Sequence, residues 1–188
     1  MKILCLSDQI DPLIYTDTVK QRYGDVDFIL SAGDLPMEYL NYIAGILEKP
    51  LFFVLGEHHA ENGDANLDTK IYYRNGLMIA GLGGSLKRYN IKILKLLPAL
   101  VFNRIFRGRF PDILLTHAPP RRIHDKEGKH QLGFRSYLWF MRIFEPRYLV
   151  HGHIHLYDTQ EHRETKYHKT LVINVYGHYL IDTEKKYA

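Results

Sequence analysis

Val150-His151-Gly152-His153-Ile154-His155 ends an apolar run with three imidazoles in close succession. Histidines at i and i+2 of an extended segment project to the same side, so the run predicts His153 and His155 facing one cavity. A small residue such as Gly152 lets backbone or ligand come close. Neutral imidazole suits Zn, Mn, Fe or Ni, which makes a transition-metal site the functional reading. Histidines that merely satisfy hydrogen bonds on a polar turn are the plain alternative. The choice depends on whether the rest of the chain supplies partners.

It does so in a regular way. Residues 2–7 form a strand-length apolar run ending at Asp8, and Phe28 to Ser31 form a second ending at Gly33-Asp34. Leu51 to Leu55 run into Gly56-Glu57-His58-His59, and Leu77 to Ala80 are closed by Gly81, Gly83 and Gly84. Ile113 to Leu115 end at Thr116-His117, and Tyr148 to Val150 lead into the histidine stretch. Helices are predicted over Thr16–Tyr23 and, after Pro36, over a stretch with Met37, Leu40, Ile43, Ala44 and Leu47 at helical spacing. A third helix is expected over Phe134–Phe144, with Leu138 and Met141 on its buried face. Leu171–Val175 and Tyr179–Ile181, with Gly177 between, read as a last hairpin. Asp8, Asp34, Glu57-His58, His117 and His153/His155 thus all fall just past the ends of apolar strands, where α/β sheets bind ligands. Asp and His do favour turns, but that preference explains one or two of these positions better than all of them.

The bulk numbers suit a single α/β domain over residues 1–188, long enough for a substantial core. Apolar residues make up 46% and charged residues 24%, ordinary for a globular protein. No stretch approaches the ~20 apolar residues that cross a bilayer, so no transmembrane segment is expected. The one cysteine, Cys5, excludes an internal disulfide and sits in an apolar run. That suits a reducing compartment, and a cytoplasmic location is expected.

The net charge of +4 is concentrated in one place. Residues 86–109 carry Lys87, Arg88, Lys92, Lys95, Arg104, Arg107 and Arg109 with no acid, leaving 18 basic residues against 21 acidic in the remainder. Ile91, Leu94, Leu97 and Leu100 to Phe102 make this segment an amphipathic helix, expected to break near Pro98. The favoured reading packs it over the core with a solvated basic face. Attraction of an anionic substrate comes next, and membrane-surface or nucleic-acid binding last.

The series Ser7-Asp8, Gly33-Asp34, Gly56-Glu57-His58, His117 and Gly152-His153-Ile154-His155 resembles the calcineurin-like metallophosphoesterases, from residue 3 to about 182. SDQIDP, THAPP, GFRSYL and PRYLVHGHIH look like a bacterial subgroup of them. The resemblance implies a four-layer α/β/β/α sandwich with two divalent metal ions, Mn, Fe, Ni or Zn, at the strand ends. It implies that Asp34 bridges the ions, with Asp8 and His155 on the first and Glu57, His117 and His153 on the second. His58 would sit beside the phosphoryl group as general acid, and metal-activated water would open the ester.

Two positions depart from that family's pattern. Where it has Asp-x-His, this chain has Ile10, so the first ion lacks an imidazole unless Asp11 turns inward. Where it has asparagine, this chain has Glu57, which adds a negative charge. Two sites of unequal affinity are expected, the first weaker.

Lesser candidates surround these. His59 and His151 flank the ligands and are candidates to orient them. Arg121 and Arg122 could hold a substrate phosphate through the guanidinium fork. His124-Asp125 and His130 follow His117 and could line the substrate mouth, although loop structure is favoured for them. Asn62-Gly63-Asp64 reads as a turn. The expected function is a metal-dependent phosphoesterase acting on a phosphorylated small molecule, monoester or diester. A protein-binding scaffold with a degraded metal centre is the alternative, favoured by Ile10 and Glu57. A nuclease is less favoured.

Overall fold

The computed structural model describes residues 1–57, 65–84, 89–128, 130–157 and 162–185. His58, His59, the Asn62-Gly63-Asp64 turn, Lys87 and Arg88 lie outside them. Ten strands and four helices are described: β1 (Lys2–Ser7), α1 (Val19–Tyr23), β2 (Phe28–Ser31), α2 (Met37–Leu47), β3 (Leu51–Phe53), β4 (Ile71–Arg74), β5 (Leu77–Leu82), α3 (Tyr89–Arg107), β6 (Ile113–Thr116), α4 (Arg135–Phe144), β7 (Tyr148–His151), β8 (Glu164–Tyr167), β9 (Thr170–Asn174) and β10 (Gly177–Asp182).

They form a four-stranded sheet, β10-β1-β2-β3, and a six-stranded sheet, β4-β5-β6-β7-β9-β8. The central strands are apolar on both faces because each face meets a different layer. In β1, Ile3 and Cys5 point inward with Phe28, Leu30 and Phe52 against Ile79, Ile113, Leu115 and Val150 of the other sheet. Leu4 and Leu6 point outward with Ile29 against Leu40, Ile43 and Leu47 of α2. The six-stranded sheet repeats the plan: Leu114, Leu149 and Val172 face α3 through Leu96 and Leu100, and α4 through Tyr137, Phe140 and Met141. This is the four-layer α/β/β/α sandwich.

Several local expectations need correction. Pro98 lies within α3 and does not break it; its missing N–H forfeits one helical bond, while Ile93, Leu96 and Leu100 anchor the helix in the core on both sides. On α4 the buried face is Tyr137, Phe140, Met141 and Phe144, with Leu138 at its margin. Residues 171–181 are no hairpin: β9 lies parallel to β7 in one sheet, while β10 runs antiparallel to β1 in the other. The side chain of Asn174 directs this crossing, donating to Ile154 O at 2.8 Å and accepting from Tyr176 N at 2.9 Å. The real hairpins are β4–β5 and β8–β9. Asn75 (φ 48°) and Gly76 (φ 82°) turn the first, both left-handed as a tight hairpin turn requires. No helix among the described residues is long and apolar enough to cross a membrane.

Candidate metal centre

β1, β2 and β3 run parallel in one sheet, and β5, β6, β7 and β9 run parallel in the other, and residues that follow C-terminal strand ends of both sheets come together. Asp8 and Asp34 follow strands of the first sheet, and His117 and His153 follow strands of the second. One ligand atom from each of Asp8, Asp34 and His117 lies within 4.8 Å of the other two.

Three glycines make this approach feasible. A Cβ on Gly152 would stand 1.8 Å from Ser7 Oγ and 2.3 Å from Asp8 Oδ2. One on Gly56 would stand 2.0 Å from Asp34 Oδ1, and one on Gly33 (φ 103°) 2.9 Å from His117 Nδ1. The neighbour that the sequence leaves room for at Gly152 is therefore the end of β1. The backbone also carries strain here: Asp8 (φ 62°), Asp34 (φ 55°) and His153 (φ 66°) are all left-handed. His153 is thus not extended, and the alternation argument does not describe its direction. It still lines one cavity with His155, together with Asp8, Asp34, Glu57, His130, Gln131 and Tyr157. That cavity holds about 700 Å³.

Hydrogen bonds fix the histidine tautomers. His117 is buried, and its Nδ1–H donates to Ala32 O at 2.8 Å. Its Nε2 then faces Asp34 Oδ2 at 3.3 Å and His153 Nδ1 at 3.2 Å. His153 donates through Nε2–H to His130 O at 2.5 Å and through its backbone N–H to Asp8 Oδ2 at 2.8 Å. Two ring nitrogens whose partner nitrogens are already committed to carbonyls therefore confront each other beside a carboxylate. Neutral rings would set lone pair against lone pair; a proton or a cation between them removes the repulsion. Burial disfavours charge on His117, but the Asp34 hydrogen bond and the Asp8 and Asp34 charges outweigh it and raise its pKa above the ordinary imidazole value. Imidazole and carboxylate donors, with backbone acceptors behind the rings, fit a divalent transition metal.

The other sequence candidates are placed as follows. Glu57 and His155 stand on the cavity wall, outside the tight group; His155 Nδ1 lies 3.2 Å from Tyr157 OH, and its ring packs on Tyr176. His151 is buried behind the metal-facing turn. Its Nδ1–H donates to Gly152 O at 2.9 Å, and its Nε2 accepts from His124 Nδ1–H at 2.9 Å. His124 Nε2 in turn accepts from the Thr165 hydroxyl at 2.9 Å. This relay requires both rings neutral. Burial, and then the His162 charge, lowers His124 to about 4. Burial first, and then His124, pushes His151 well below its usual value. The Arg121 guanidinium pairs with Asp125 and is engaged in loop structure, whereas Arg122 contributes its backbone N–H, which donates to Asp125 Oδ1 at 2.8 Å. His130 does line the cavity. Ile10 is 42% exposed. Asp11 does not turn inward: its carboxylate accepts from Leu13 N–H at 2.9 Å and from His178 Nδ1 at 2.6 Å. Gln131 and Tyr157 were not foreseen. Tyr157 stands two residues past His155, where an i, i+2 reading would have reached it.

A four-layer sandwich with carboxylates and imidazoles converging at its strand ends defines a metallophosphoesterase-type fold. The family model for the calcineurin-like phosphoesterases matches residues 1–157, and the chain belongs to that family. Its members typically bind divalent metal ions and act on phosphorylated substrates. Among solved structures the chain is similar to TT1561 of Thermus thermophilus, at 15% identity over 94% of this chain and 89% of that one, with a TM-score of 0.68. It is also similar to phosphopantetheinyl hydrolase from Mycobacterium tuberculosis (12% identity, 93% and 88% covered, TM-score 0.51). Vps29 complexed with zinc from Entamoeba histolytica is a further similar structure (13% identity, 94% and 74% covered, TM-score 0.50). At these identities the likeness shows the fold. Among curated proteins none matches the chain.

Proposed function

We propose that this protein is a metal-dependent phosphoesterase that hydrolyses a phosphomonoester or phosphodiester of a small molecule. Asp8, Asp34, Glu57, His117, His153 and His155 would hold two divalent ions, drawn from Mn, Fe, Ni and Zn because imidazole and carboxylate are mixed. The observation that carries this reading is the meeting of Asp8, Asp34 and His117 from two sheets within 4.8 Å. It also supports residues 1–188 acting as one unit, since neither sheet supplies the group alone. Bound ions would polarise the phosphoryl oxygens and activate water.

The chain's own residues would do the rest. Asp34 and Asp8 offset the positive charge of the ions. Ala32 O and His130 O hold His117 and His153 in the tautomers that leave Nε2 and Nδ1 free to ligate. His58, next to Glu57, is proposed as the general acid for the leaving oxygen. With Ile10 exposed and Asp11 tied to His178, the ion on Asp8 and His155 would have fewer nitrogen donors and bind more weakly. Buried, unpaired Cys5 supports a reducing, cytoplasmic setting.

The test is hydrolysis of p-nitrophenyl phosphate and bis(p-nitrophenyl) phosphate by metal-stripped protein titrated with Mn²⁺, Fe²⁺, Ni²⁺ and Zn²⁺. Turnover restored by metal and lost in Asp34→Asn is the expected result, and the two rates would separate monoester from diester preference. No turnover with any of these ions would refute the proposal and turn attention to a scaffold. Binding that never exceeds one ion per chain in excess Mn²⁺ would refute the two-site part alone.

A further inference from the structure

Helix α3 is apolar on two faces. Ile93, Leu96 and Leu100 are buried against the six-stranded sheet. On the opposite side Leu94, Val101, Phe102 and Ile105 are 61%, 52%, 55% and 69% exposed. Their spacing of 7, 8 and 11 residues from Leu94 places them in one stripe along the helix. Each residue turns the helix by about 100°, so Lys95, just after Leu94, and Arg104, just before Ile105, fall on opposite margins of that stripe. The solvated basic face expected from the sequence is thus a basic-edged apolar one.

Helix α4, in the same outer layer, repeats the pattern. Trp139 and Ile143 are 46% and 48% exposed, and with Arg135, Arg142, Leu138 and Tyr167 they line a groove of about 590 Å³. Ring contacts join the two helices: Arg104 lies over Phe110 at 5.2 Å, Phe110 meets Phe144 at 4.8 Å, and Phe144 meets Trp139 at 5.8 Å. Neither residues 86–110 nor 135–144 contain an acid. The acids just beyond them, Asp112 and Glu145, are paired with Arg109 and Lys169.

We infer that this outer face docks the protein on an anionic phospholipid surface. The α3 stripe would sink to the headgroup–acyl boundary, with Trp139 and Ile143 beside it and the arginines and Lys95 against lipid phosphates. Charge complementarity selects this occupant. A second copy of the chain presenting the same face would bring cations against cations, with the bordering Asp112 and Glu145 already paired with Arg109 and Lys169. A bilayer surface with anionic headgroups above an apolar interior matches both parts of the face. An apolar patch of this extent otherwise lies open to water.

The test uses the full chain and flotation with phosphatidylcholine vesicles, with or without about 30% phosphatidylglycerol. Binding is read without turnover, so the outcome is independent of the proposed activity. The protein is expected to float with the anionic vesicles, less with the neutral ones, and less again in about 0.5 M salt, where charges are screened within a few ångströms. Phe102→Ser/Ile105→Ser alters exposed side chains only, which a thermal melt checks, and should lower partition about tenfold or more. Failure to float with anionic vesicles, or flotation of the double variant equal to the parent's, overturns the inference. So does sedimentation showing a dimer that the double variant abolishes while vesicles bind neither form.

Discussion

Replacing Gly152 with alanine adds one methyl group at the tightest point of the site. Its Cβ would stand 1.8 Å from Ser7 Oγ, 2.3 Å from Asp8 Oδ2 and 2.7 Å from Ser7 Cβ. Contact distance is about 3.5 Å, so the β7 turn and the end of β1 must part by more than about 1 Å. Ser7 is fully buried, and β1 is held between β2 and β10, so the end of β1 has little room to retreat. Overpacking of this kind costs about 1–3 kcal/mol, and the closeness of the approach argues for about 2–3. For a chain of this size that lowers Tm by about 4–12 °C. The shift would also carry Asp8 away from Asp34 and His117, so the rise in Tm produced by saturating Mn²⁺ should shrink. Gly45→Ala is the matched control: it makes the same chemical change within α2, where a Cβ meets nothing within 4 Å. There it should stabilise by about 0.5–1 kcal/mol. Scanning calorimetry of the three proteins, with and without Mn²⁺, decides the matter. If Gly152→Ala melts within a degree of the parent and keeps its full response to Mn²⁺, the packing argument is wrong.

Three other perturbations test separate parts of the structure. His124 titrates near 6.5 when unfolded and at about 4 in the fold, so in that interval the unfolded chain takes up a proton that the folded one refuses. Its contribution is intact above about pH 6.5 and falls away towards pH 4, by roughly 2–3 kcal/mol; urea midpoints for parent and His124→Gln should converge on acidification, and parallel curves refute this. Burial raises the Cys5 thiol far above its usual pKa, so a thiol reagent should leave the native protein unmodified and label it one-to-one in denaturant; rapid native labelling would contradict the buried strand. The Asp125 carboxylate accepts from Arg121, from Arg122 N–H at 2.8 Å and from Gly133 N–H at 3.0 Å; Asp125→Ala should cost about 2–3 kcal/mol, and an unchanged urea midpoint would show that the loop does not depend on it.

The strands that carry Asp8, Asp34, His117 and His153 were legible because each is apolar on both faces, which is what a strand between two layers must be. The edge strands β4 and β8 were not. Ile71-Tyr-Tyr-Arg and Glu164-Thr-Lys-Tyr are half exposed and rich in polar groups, as an edge that avoids further pairing must be. The residues around Gly177 misled for a different reason: two apolar runs about a glycine satisfy a local hairpin rule, but strand pairing is decided by partners far along the chain. Here those partners are Leu6 and Ser7, which align with His178 and Gly177. In the site, the residue types and their places at strand ends were readable. Their rotations were not, and neither was the diversion of Asp11 to His178, which depends on an aspartate and a histidine 167 positions apart.

Left-handed backbone at residues other than glycine occurs both in the site and elsewhere in the molecule. Left-handed Glu48 and Glu145 cap helices, Asn75 and His168 turn hairpins, and Thr69, Arg122 and His124 lie in loop turns. Asp8, Asp34 and His153 cap no helix and turn no tight hairpin. Each leaves a strand region by twisting into a conformation that costs of order 1 kcal/mol or more. The result brings two carboxylates and two imidazoles into a space that needs Gly33, Gly56 and Gly152 to form at all. Like charges and facing lone pairs at such separations oppose folding rather than favour it. A chain shaped for stability alone would relax these residues outward, where solvent could take their charges. That they are held inward, with Ala32 O and His130 O fixing the rings from behind, is most simply explained by a ligand whose positive charge offsets the local cost. A divalent cation has that charge.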